Sequence, residues 1–309
     1  MIGTADIILP KAAHRLPGVE RPREFALFTV TLSKQGKDRD RQFAVHQTDV
    51  LTGDDFREAA SRVSLNAETY AGDALVFLHG FNLGFDHAMF RAAQLAHDLG
   101  FDGPVFAYSW ASNGSSPDYD GDLHNAMQTS DLLDVFLGVI QSVPGVERVH
   151  VIAHSMGANA LAQLLSGAGA RVGVGTARPI DQLILAAPDL DVQGFAAVAS
   201  RFIDAAQNVT LYTCATDRAL LTSRAVGEDF ERAGDTPKRG PVVVPGVDTV
   251  DITTVGTDLL SFNADLYVKN RGLLEDLGQL LQTRTRPPSR RLPVLHEVIS
   301  EQGIYWRMA

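Results

Sequence analysis

Residues 148–165, RVHVIAHSMGANALAQLL, decide the fold of this chain. An apolar run of strand length ends at AHSMG (residues 153–157), and a helix-length stretch rich in small residues follows it. A serine on a sharp turn between a strand and a helix is typical of a nucleophile elbow. The helix then directs its N-terminus, with its free N–H groups, toward Ser155, where an anion is favoured. The alternative interpretation is a plain strand-to-helix turn in which Ser155 caps the helix.

Such a tight turn needs small residues two positions before and two positions after the serine. Gly157 meets this requirement, whereas Ala153 departs from the usual Gly-x-Ser-x-Gly pattern by one methyl group. The turn tolerates that methyl group if the neighbouring helix packs slightly further away. The motif and its context therefore predict a nucleophile elbow with Ser155 as the nucleophile.

The segments around this turn alternate between apolar runs of strand length and helical patterns. The alternation predicts the α/β class, a mostly parallel central sheet with helices on both faces. The predicted strands comprise residues 24–33, 41–50, 73–78, 105–110, 148–153, 182–187, 208–214 and 249–255. The predicted helices comprise residues 86–99, 123–143, 157–165, 194–206 and 224–232. A short polar turn joins the first two strands, so we expect an antiparallel hairpin at the N-terminal edge of the sheet.

The composition is typical of a soluble globular protein, with 45% hydrophobic and 21% charged residues among 309. A net charge of −10 argues against nucleic-acid binding, which needs clustered lysines and arginines. The single cysteine, Cys214, excludes an intramolecular disulfide and a multi-cysteine metal site. No apolar run reaches the ~18 residues that span a bilayer, and the first residues do not resemble a signal peptide. We therefore expect a cytoplasmic protein without a membrane span, and a homo-oligomer is left open.

A second signal is the pair His79-Gly80, which follows the predicted strand 73–78. In this architecture the backbone N–H after such a pair faces the serine and helps to bind the oxyanion. We expect Phe81 to supply this N–H group and Met156 to supply the other, while Gly80 allows close approach of the backbone. His79 is interpreted as a structural residue hydrogen-bonded within the turn. In hydrolases that carry a nucleophile elbow of this kind, the catalytic histidine follows the serine in the chain, whereas His79 precedes Ser155.

Several long motifs together resemble one known family. FLHGFN, RAAQLAHDLGFDGPVFAYSW, IAHSMGANAL, LILAAPDLD, LYTCATDRAL and VGTDLL are similar to the bacterial α/β-hydrolase family known as domain of unknown function 900 (DUF900). The resemblance runs from about residue 22 to residue 282. It implies an α/β-hydrolase fold, a Ser–His–Asp triad and esterase-type activity, with no metal and no organic cofactor.

Two aspartates are candidates for the triad acid. Asp217 follows the strand 208–214, two strands after the serine, and Asp189 follows the strand 182–187, one strand after it. The resemblance and the logic of the triad favour Asp217, which lies at the more common position of the acid. The alternative roles are pairing with Arg218 or a solvated turn for Asp217, and a helix cap for Asp189.

The histidine of the triad is the point where this chain departs from the family. The family places it just after the last strand, and the matching stretch here is SFNADLY (residues 261–267), where Ala264 occupies the position of the base. Three interpretations remain open: Ala264 replaces a natural histidine, His296 reaches the site from the C-terminal segment, or the protein binds its ligand without turnover. His296 is the only histidine after Ser155.

These expectations together describe a serine hydrolase that cleaves a small-molecule carboxylic ester. The chain as written should be inactive or strongly impaired, because a triad without its base fails. The alternative is a catalytically silent ligand-binding protein of the same fold. The substrate pocket is expected to include Asn82, Tyr108 and Trp110 beside Phe81.

The chain is expected to contain one α/β-hydrolase domain over residues 1–285. Residues 1–70 would form the N-terminal edge strands and a helix, and residues 71–285 the catalytic core. Residues 286–309 are predicted to form a basic, solvated linker and a short C-terminal helix, because arginines and prolines precede a helical pattern.

Overall fold

The computed structural model describes residues 2–8, 26–33, 44–112, 118–167, 179–216, 230–255, 271–286, 288, 291 and 295–309. The strands are β1 (Ile2–Ile8), β2 (Ala26–Ser33), β3 (Ala44–Val50), β4 (Asp73–Leu78), β5 (Val105–Ser109), β6 (Arg148–His154), β7 (Ile180–Ala186), β8 (Ala206–Thr213), β9 (Val247–Asp251), β10 (Leu295–Ser300) and β11 (Gly303–Met308). The helices are α1 (Gly53–Asn66), α2 (Phe85–Leu99), α3 (Tyr119–Gln128), α4 (Ser130–Gln141), α5 (Gly157–Ser166), α6 (Val192–Ala205) and α7 (Arg271–Thr283).

In the described part of the chain, the strands form one sheet in the order β10-β11-β9-β8-β7-β6-β4-β5-β2-β1-β3. The strands from β5 through β4, β6, β7, β8 and β9 to β11 all pair in parallel. Every residue of β4 is buried, which explains why its sequence, DALVFL, is almost continuously apolar. The prediction of a mostly parallel sheet is confirmed.

The sheet separates two apolar clusters, and helices cover both. Val76 and Leu78 of β4 face the cluster that contains residues of α1 and of α3 to α6. Leu75 and Phe77 face the other cluster, which contains residues of α2 and α7. Successive side chains of a strand point to opposite faces, so β4 contributes to both clusters. This arrangement leaves the carboxyl ends of the strands, where ligand sites of open α/β sheets form, for the segments that follow β4 and β6.

The N-terminal edge differs from the predicted hairpin. Strands β2 and β3 are not neighbours, because β1 lies between them and pairs in parallel with β2 and antiparallel with β3. The edge is nevertheless partly antiparallel, since β2 also runs antiparallel to β5. The hairpin prediction failed because pairing with β1 is a long-range contact that the short turn between β2 and β3 does not reveal.

The C-terminal segment also differs from the prediction. Residues 295–308 form a hairpin instead of a helix: β10 pairs antiparallel with β11, and β11 pairs in parallel with β9. Val247–Asp251 is therefore not the last strand. Gly303, at φ +130, occupies a turn conformation that favours glycine and begins the second strand of the hairpin.

The basic linker is held against the sheet and is not solvated along its length. Arg284, just before this segment, and two arginines in its described part bind carboxylates that are largely buried. The ion pairs are Arg284 with Asp181 at 2.7 Å, Arg286 with Asp248 at 2.6 Å, and Arg291 with Asp276 at 2.6 Å. The sequence predicted a solvated linker because the carboxylates that bind these arginines are not next to them in sequence.

The helix predicted over residues 123–143 is two helices, α3 and α4, which meet at Thr129. The Thr129 hydroxyl donates to the Ala126 carbonyl at 3.0 Å, and the Thr129 carbonyl accepts the Tyr108 hydroxyl at 2.7 Å. Local hydroxyl bonds of this kind compete with regular helix geometry.

Among the described residues, no helix is long and apolar enough to cross a membrane.

Candidate active site

Ser155 lies between β6 and α5 in a conformation that a serine rarely adopts. Its φ is +51°, and the end of β7 and the loop after it hold its backbone on both sides. The Ser155 N–H donates to the Ala186 carbonyl at 3.0 Å, and the Ser155 carbonyl accepts the Asp189 N–H at 3.2 Å. A non-glycine residue remains in this region only where its neighbours enforce it, and such residues cluster at functional sites.

The turn after β4 (residues 79–82, called the oxyanion turn below) packs directly against the elbow. A Cβ on Gly80 would lie 2.9 Å from both the His154 Nδ1 atom and the Ser155 Cβ atom. A Cβ on Gly157 would lie 2.6 Å from the Leu78 carbonyl oxygen and 2.8 Å from the His79 carbonyl oxygen. Both positions therefore require glycine because backbone and side-chain atoms approach too closely for a methyl group.

The hydrogen-bonding groups expected to act on a substrate are unused in the described part of the chain. The Ser155 Oγ atom is buried there without a hydrogen-bond partner. No acceptor within the same residues takes the N–H of Phe81 or of Met156. Met156 directly precedes α5, so its N–H lies at the positive end of a helix. These are the groups that the sequence predicts to act as a nucleophile and two oxyanion donors.

The oxyanion turn is anchored by the first turn of α3. Asn82 has a φ of +55°, and its N–H donates to Asp122 Oδ2 at 3.0 Å. The same carboxylate oxygen accepts the Ser112 hydroxyl at 2.6 Å. The Phe81 ring packs against the Tyr119 ring, with centroids 5.6 Å apart. Helix α3 thus holds the backbone on the C-terminal side of Phe81 and packs against its ring.

His79 is a structural residue of the oxyanion turn, in keeping with the expected hydrogen bond within the turn. Its Nδ1 lies 2.9 Å from the Gly80 carbonyl oxygen, so Nδ1 carries the proton and donates. The ring is stacked on Trp110, with centroids 3.7 Å apart and an angle of 14° between the planes. Burial lowers the pKa of His79 to about 4, so the imidazole is neutral at pH 7.

His154, which directly precedes the serine, is also kept neutral. Burial lowers its pKa well below the ordinary value, and the nearby Arg91 and His79 lower it further. Neither His79 nor His154 hydrogen-bonds the Ser155 Oγ atom within the described residues. The two histidines beside the elbow therefore contribute packing and shape at neutral pH and do not contribute positive charge.

Asp189 joins three elements beside the nucleophile. Its carboxylate accepts the Tyr119 hydroxyl at 2.9 Å and lies 3.3 Å from Arg232 Nε. The residue is only 1% exposed, and its N–H holds the Ser155 carbonyl. The helix-cap alternative does not apply to Asp189, because Asp191 caps α6 by accepting the Gly194 N–H. These bonds give Asp189 a structural task next to Ser155.

Two residues of the predicted triad, Asp217 and Ala264, lie outside the described residues, and most of the predicted helix 224–232 does too. His296 is described, and its position contradicts the interpretation that it reaches Ser155. It lies exposed on β10, the edge strand, five strands away from β6. With neighbouring strands 4.7–4.9 Å apart, this separation is roughly 24 Å.

The predicted pocket residues have different environments. Tyr108 is buried in the core, its ring packs on Phe136 at 5.6 Å, and its hydroxyl bonds to Thr129. We therefore withdraw Tyr108 from the pocket; the alternation along β5 directs it toward α4. Trp110 is buried against His79, and the Asn82 side chain is exposed. The pocket roles of Trp110 and Asn82 remain predictions.

Sequence reasoning did not identify the roles of Tyr119 and Asp122. Residues 111–122, which are rich in glycine, serine and aspartate, predict a loop beside the substrate pocket. The partners of the two residues are distant: Asn82 lies 40 residues from Asp122 in sequence, and Asp189 lies 70 residues from Tyr119. The available signal was that both side chains follow β5, whose carboxyl end lies beside that of β4.

Within the described residues, no cluster of histidine, cysteine, aspartate or glutamate side chains is suited to hold a metal ion.

Comparisons with solved structures found several esterases at low sequence identity. An esterase from Pyrobaculum calidifontis is 10% identical, with a TM-score of 0.39 and coverage of 76% of this chain and 94% of that one. The esterase LipW from Mycobacterium marinum is 16% identical, with a TM-score of 0.31 and coverage of 65% and 68%. Brefeldin A esterase, a bacterial homologue of human hormone-sensitive lipase, is 14% identical, with a TM-score of 0.35 and coverage of 71% and 70%. Similarities at this level carry no argument about activity.

The family comparison is more informative. No curated protein matches the sequence significantly. The model of the alpha/beta hydrolase family of unknown function, DUF900, matches residues 57–284, which is more than half of the chain and includes the elbow and the oxyanion turn. The chain therefore belongs to the α/β-hydrolase family DUF900.

Proposed function

We propose that this protein has the scaffold of a serine hydrolase that cleaves a small-molecule carboxylic ester. The observation that carries the proposal is Ser155, held at φ +51° between a strand and a helix with its hydroxyl unbonded in the described part of the chain. The N–H groups of Phe81 and Met156, which have no acceptor there, support it. A strained serine beside two unused backbone donors suits acyl transfer.

The proposed reaction has two stages. Ser155 Oγ attacks the ester carbonyl carbon, and the carbonyl oxygen becomes an oxyanion that accepts hydrogen bonds from the Phe81 and Met156 N–H groups. A base at position 264 would take the hydroxyl proton and return it to the departing alcohol, and Asp217 would orient that base. Water then attacks the acyl-enzyme by the same route and releases the acid.

Ala264 supplies no base, so the chain with this residue should have strongly reduced turnover. The loss follows from the protonated state of a serine hydroxyl at pH 7, which makes it a poor nucleophile. Removing the base from such a unit costs about 10⁶ in turnover. Ala264 also favours a second candidate, a silent protein that binds an ester in the same pocket without cleaving it.

The Ala264→His variant separates the two candidates. With a panel of short p-nitrophenyl esters, we expect it to raise turnover by several orders of magnitude over the parent chain. Adding Ser155→Ala to the same background should return the rate to that of the parent, and His296→Ala should leave it unchanged. Background turnover by Ala264→His across the panel would refute the ester-hydrolase proposal and favour the silent binding protein.

A further inference from the structure

The first turn of α3 contacts both halves of the candidate active site. On one side, Asp122 Oδ2 accepts the Asn82 N–H at 3.0 Å. On the other, the Tyr119 hydroxyl donates at 2.9 Å to Asp189, whose own N–H holds the Ser155 carbonyl. One helical turn thus connects the oxyanion turn to the backbone of the nucleophile.

The contact with Asp122 fixes the backbone conformation of Asn82. Asn82 has a φ of +55°, in the left-handed region that asparagine adopts more readily than other non-glycine residues, and the bond from its N–H selects this conformation. Asp122 is 1% exposed, and a single oxygen of its carboxylate accepts both the Asn82 N–H and the Ser112 hydroxyl. Two donors thus converge on one buried acceptor oxygen, and leaving a buried donor without its acceptor is costly, so the contact holds the Asn82 backbone in place.

The anchored residue directly follows the expected oxyanion donor. Asp122 holds the peptide on the C-terminal side of Phe81, and Tyr119 packs on the Phe81 ring. On the N-terminal side, Gly80 lies against Ser155. Because the backbone is held on both sides of Phe81, the Phe81 N–H group has a fixed direction relative to the Ser155 side chain.

We propose that Asp122 is a positioning residue that holds the oxyanion turn so that the Phe81 N–H is directed at the oxyanion formed on Ser155. Tyr119 keeps the same helical turn in register with the elbow through Asp189. This inference rests on the proposed function, since an oxyanion forms only if Ser155 attacks a carbonyl carbon. Asp122 itself does not touch the reacting atoms.

The first test measures the anchor without any activity. In the parent chain the Asn82 amide should exchange its hydrogen slowly, because it is bonded to a buried carboxylate. Asp122→Ala should speed this exchange by about tenfold or more, whereas Asp122→Asn, which keeps an acceptor oxygen, should retain most of the protection. The matched control is Asp120→Ala, which removes an exposed carboxylate from the same helical turn. Asp122→Leu, which has the same branched shape but no acceptor, replaces Asp122→Ala if that variant does not fold.

The second test measures turnover of p-nitrophenyl esters in the Ala264→His background. Loss of one oxyanion donor costs about 10²–10³ in kcat, so a donor that is loosened but present should cost about 10- to 100-fold. The loss should be in kcat with KM nearly constant, because the interaction is made in the transition state. Asp122→Asn should recover most of the rate, and Asp120→Ala should match the background.

The two tests separate failure of this inference from failure of the proposed function. Unchanged Asn82 exchange in Asp122→Ala would overturn the inference whatever the turnover. Faster exchange with a kcat equal to that of Asp120→Ala would also overturn it, since the turn would then not limit catalysis. If Ala264→His itself has no turnover, the proposed function fails and the catalytic part of the inference fails with it, while the exchange result decides whether Asp122 holds the turn.

Discussion

Adding one methyl group to Gly157 should destabilise the protein, because α5 begins directly against the end of β4. The new Cβ would lie 2.6 Å from the Leu78 carbonyl oxygen and 2.8 Å from the His79 carbonyl oxygen. Ordinary contacts begin at 3.4 Å, so the first turn of α5 or the oxyanion turn must move by almost 1 Å. Both neighbours are backbone atoms and cannot rotate away.

The magnitude follows from two opposing effects. Forcing an extra methyl group into a closely packed site costs about 1–3 kcal/mol. Replacing glycine by alanine in a helix recovers up to about 1 kcal/mol of helix propensity. With the full gain in helix propensity, we therefore expect Gly157→Ala to lower the free energy of unfolding by up to about 2 kcal/mol.

Gly138 provides the matched control, because it lies inside α4 and a Cβ there would have no neighbour within 4 Å. Gly138→Ala should stabilise the protein by about 0.5–1 kcal/mol. Urea unfolding of the two variants and the parent, followed by circular dichroism, gives the comparison. Equal stability of Gly157→Ala and Gly138→Ala would refute the close approach between α5 and the oxyanion turn.

Three further predictions concern the acid, the linker and the histidine of the oxyanion turn. In the Ala264→His background, Asp217→Asn should lower kcat by about 10⁴, whereas Asp189→Asn should cost far less; the reverse order would make Asp189 the acid. Arg291→Ala should destabilise the fold by about 3–5 kcal/mol, because it leaves the fully buried Asp276 carboxylate without its cation. The control is Arg57→Ala, which removes an ion pair at the surface. Equal effects of the two substitutions would contradict the buried position of the Arg291–Asp276 pair. The pKa of His79 is near its ordinary value of 6.5 in the unfolded chain and near 4 in the folded protein. The free energy of unfolding should therefore fall by about 3 kcal/mol as the pH is lowered from the first value to the second. An NMR titration of His79 with a midpoint near 6.5 would exclude this effect.

Local sequence patterns predicted the elements that carry the elbow, because these depend on neighbouring residues. The apolar run of β6, the glycine at position 157 and the small residues of α5 are all close in sequence, and each has a direct steric reason in the structure. The elements of the parallel sheet were likewise predicted near their observed bounds, since buried parallel strands have continuous apolar sequences.

Most of the errors concern contacts between residues that are distant in sequence. Strand β1 separates β2 from β3, and no pattern within those strands specifies that partner. The C-terminal hairpin was mistaken for a helix, although its second strand contains the aromatic pair Tyr305-Trp306 that is typical of strands. The arginines of the linker bind carboxylates, Asp248 and Asp276, whose proximity is known only from the folded structure.

The candidate site shows the same division. Ser155 and the two backbone donors follow from motifs, whereas Asp122 and Tyr119 act through bonds to the distant residues Asn82 and Asp189. From sequence alone, a buried carboxylate that follows a polar loop cannot be distinguished from a solvated one, because its hydrogen-bond partners are not known. Positioning residues are therefore harder to predict from sequence than the groups they position.

The most direct test of the nucleophile is covalent labelling of the Ala264→His chain with a fluorophosphonate, followed by trypsin digestion and tandem mass spectrometry. Cleavage after Arg148 and Arg171 releases one peptide in which Ser155 and Ser166 are the only serines. We predict a single phosphonyl group on Ser155, and no labelling of the variant that also carries Ser155→Ala. Labelling of Ser166 or of another peptide, or labelling that persists after Ser155→Ala, would contradict the assignment of Ser155 as the nucleophile.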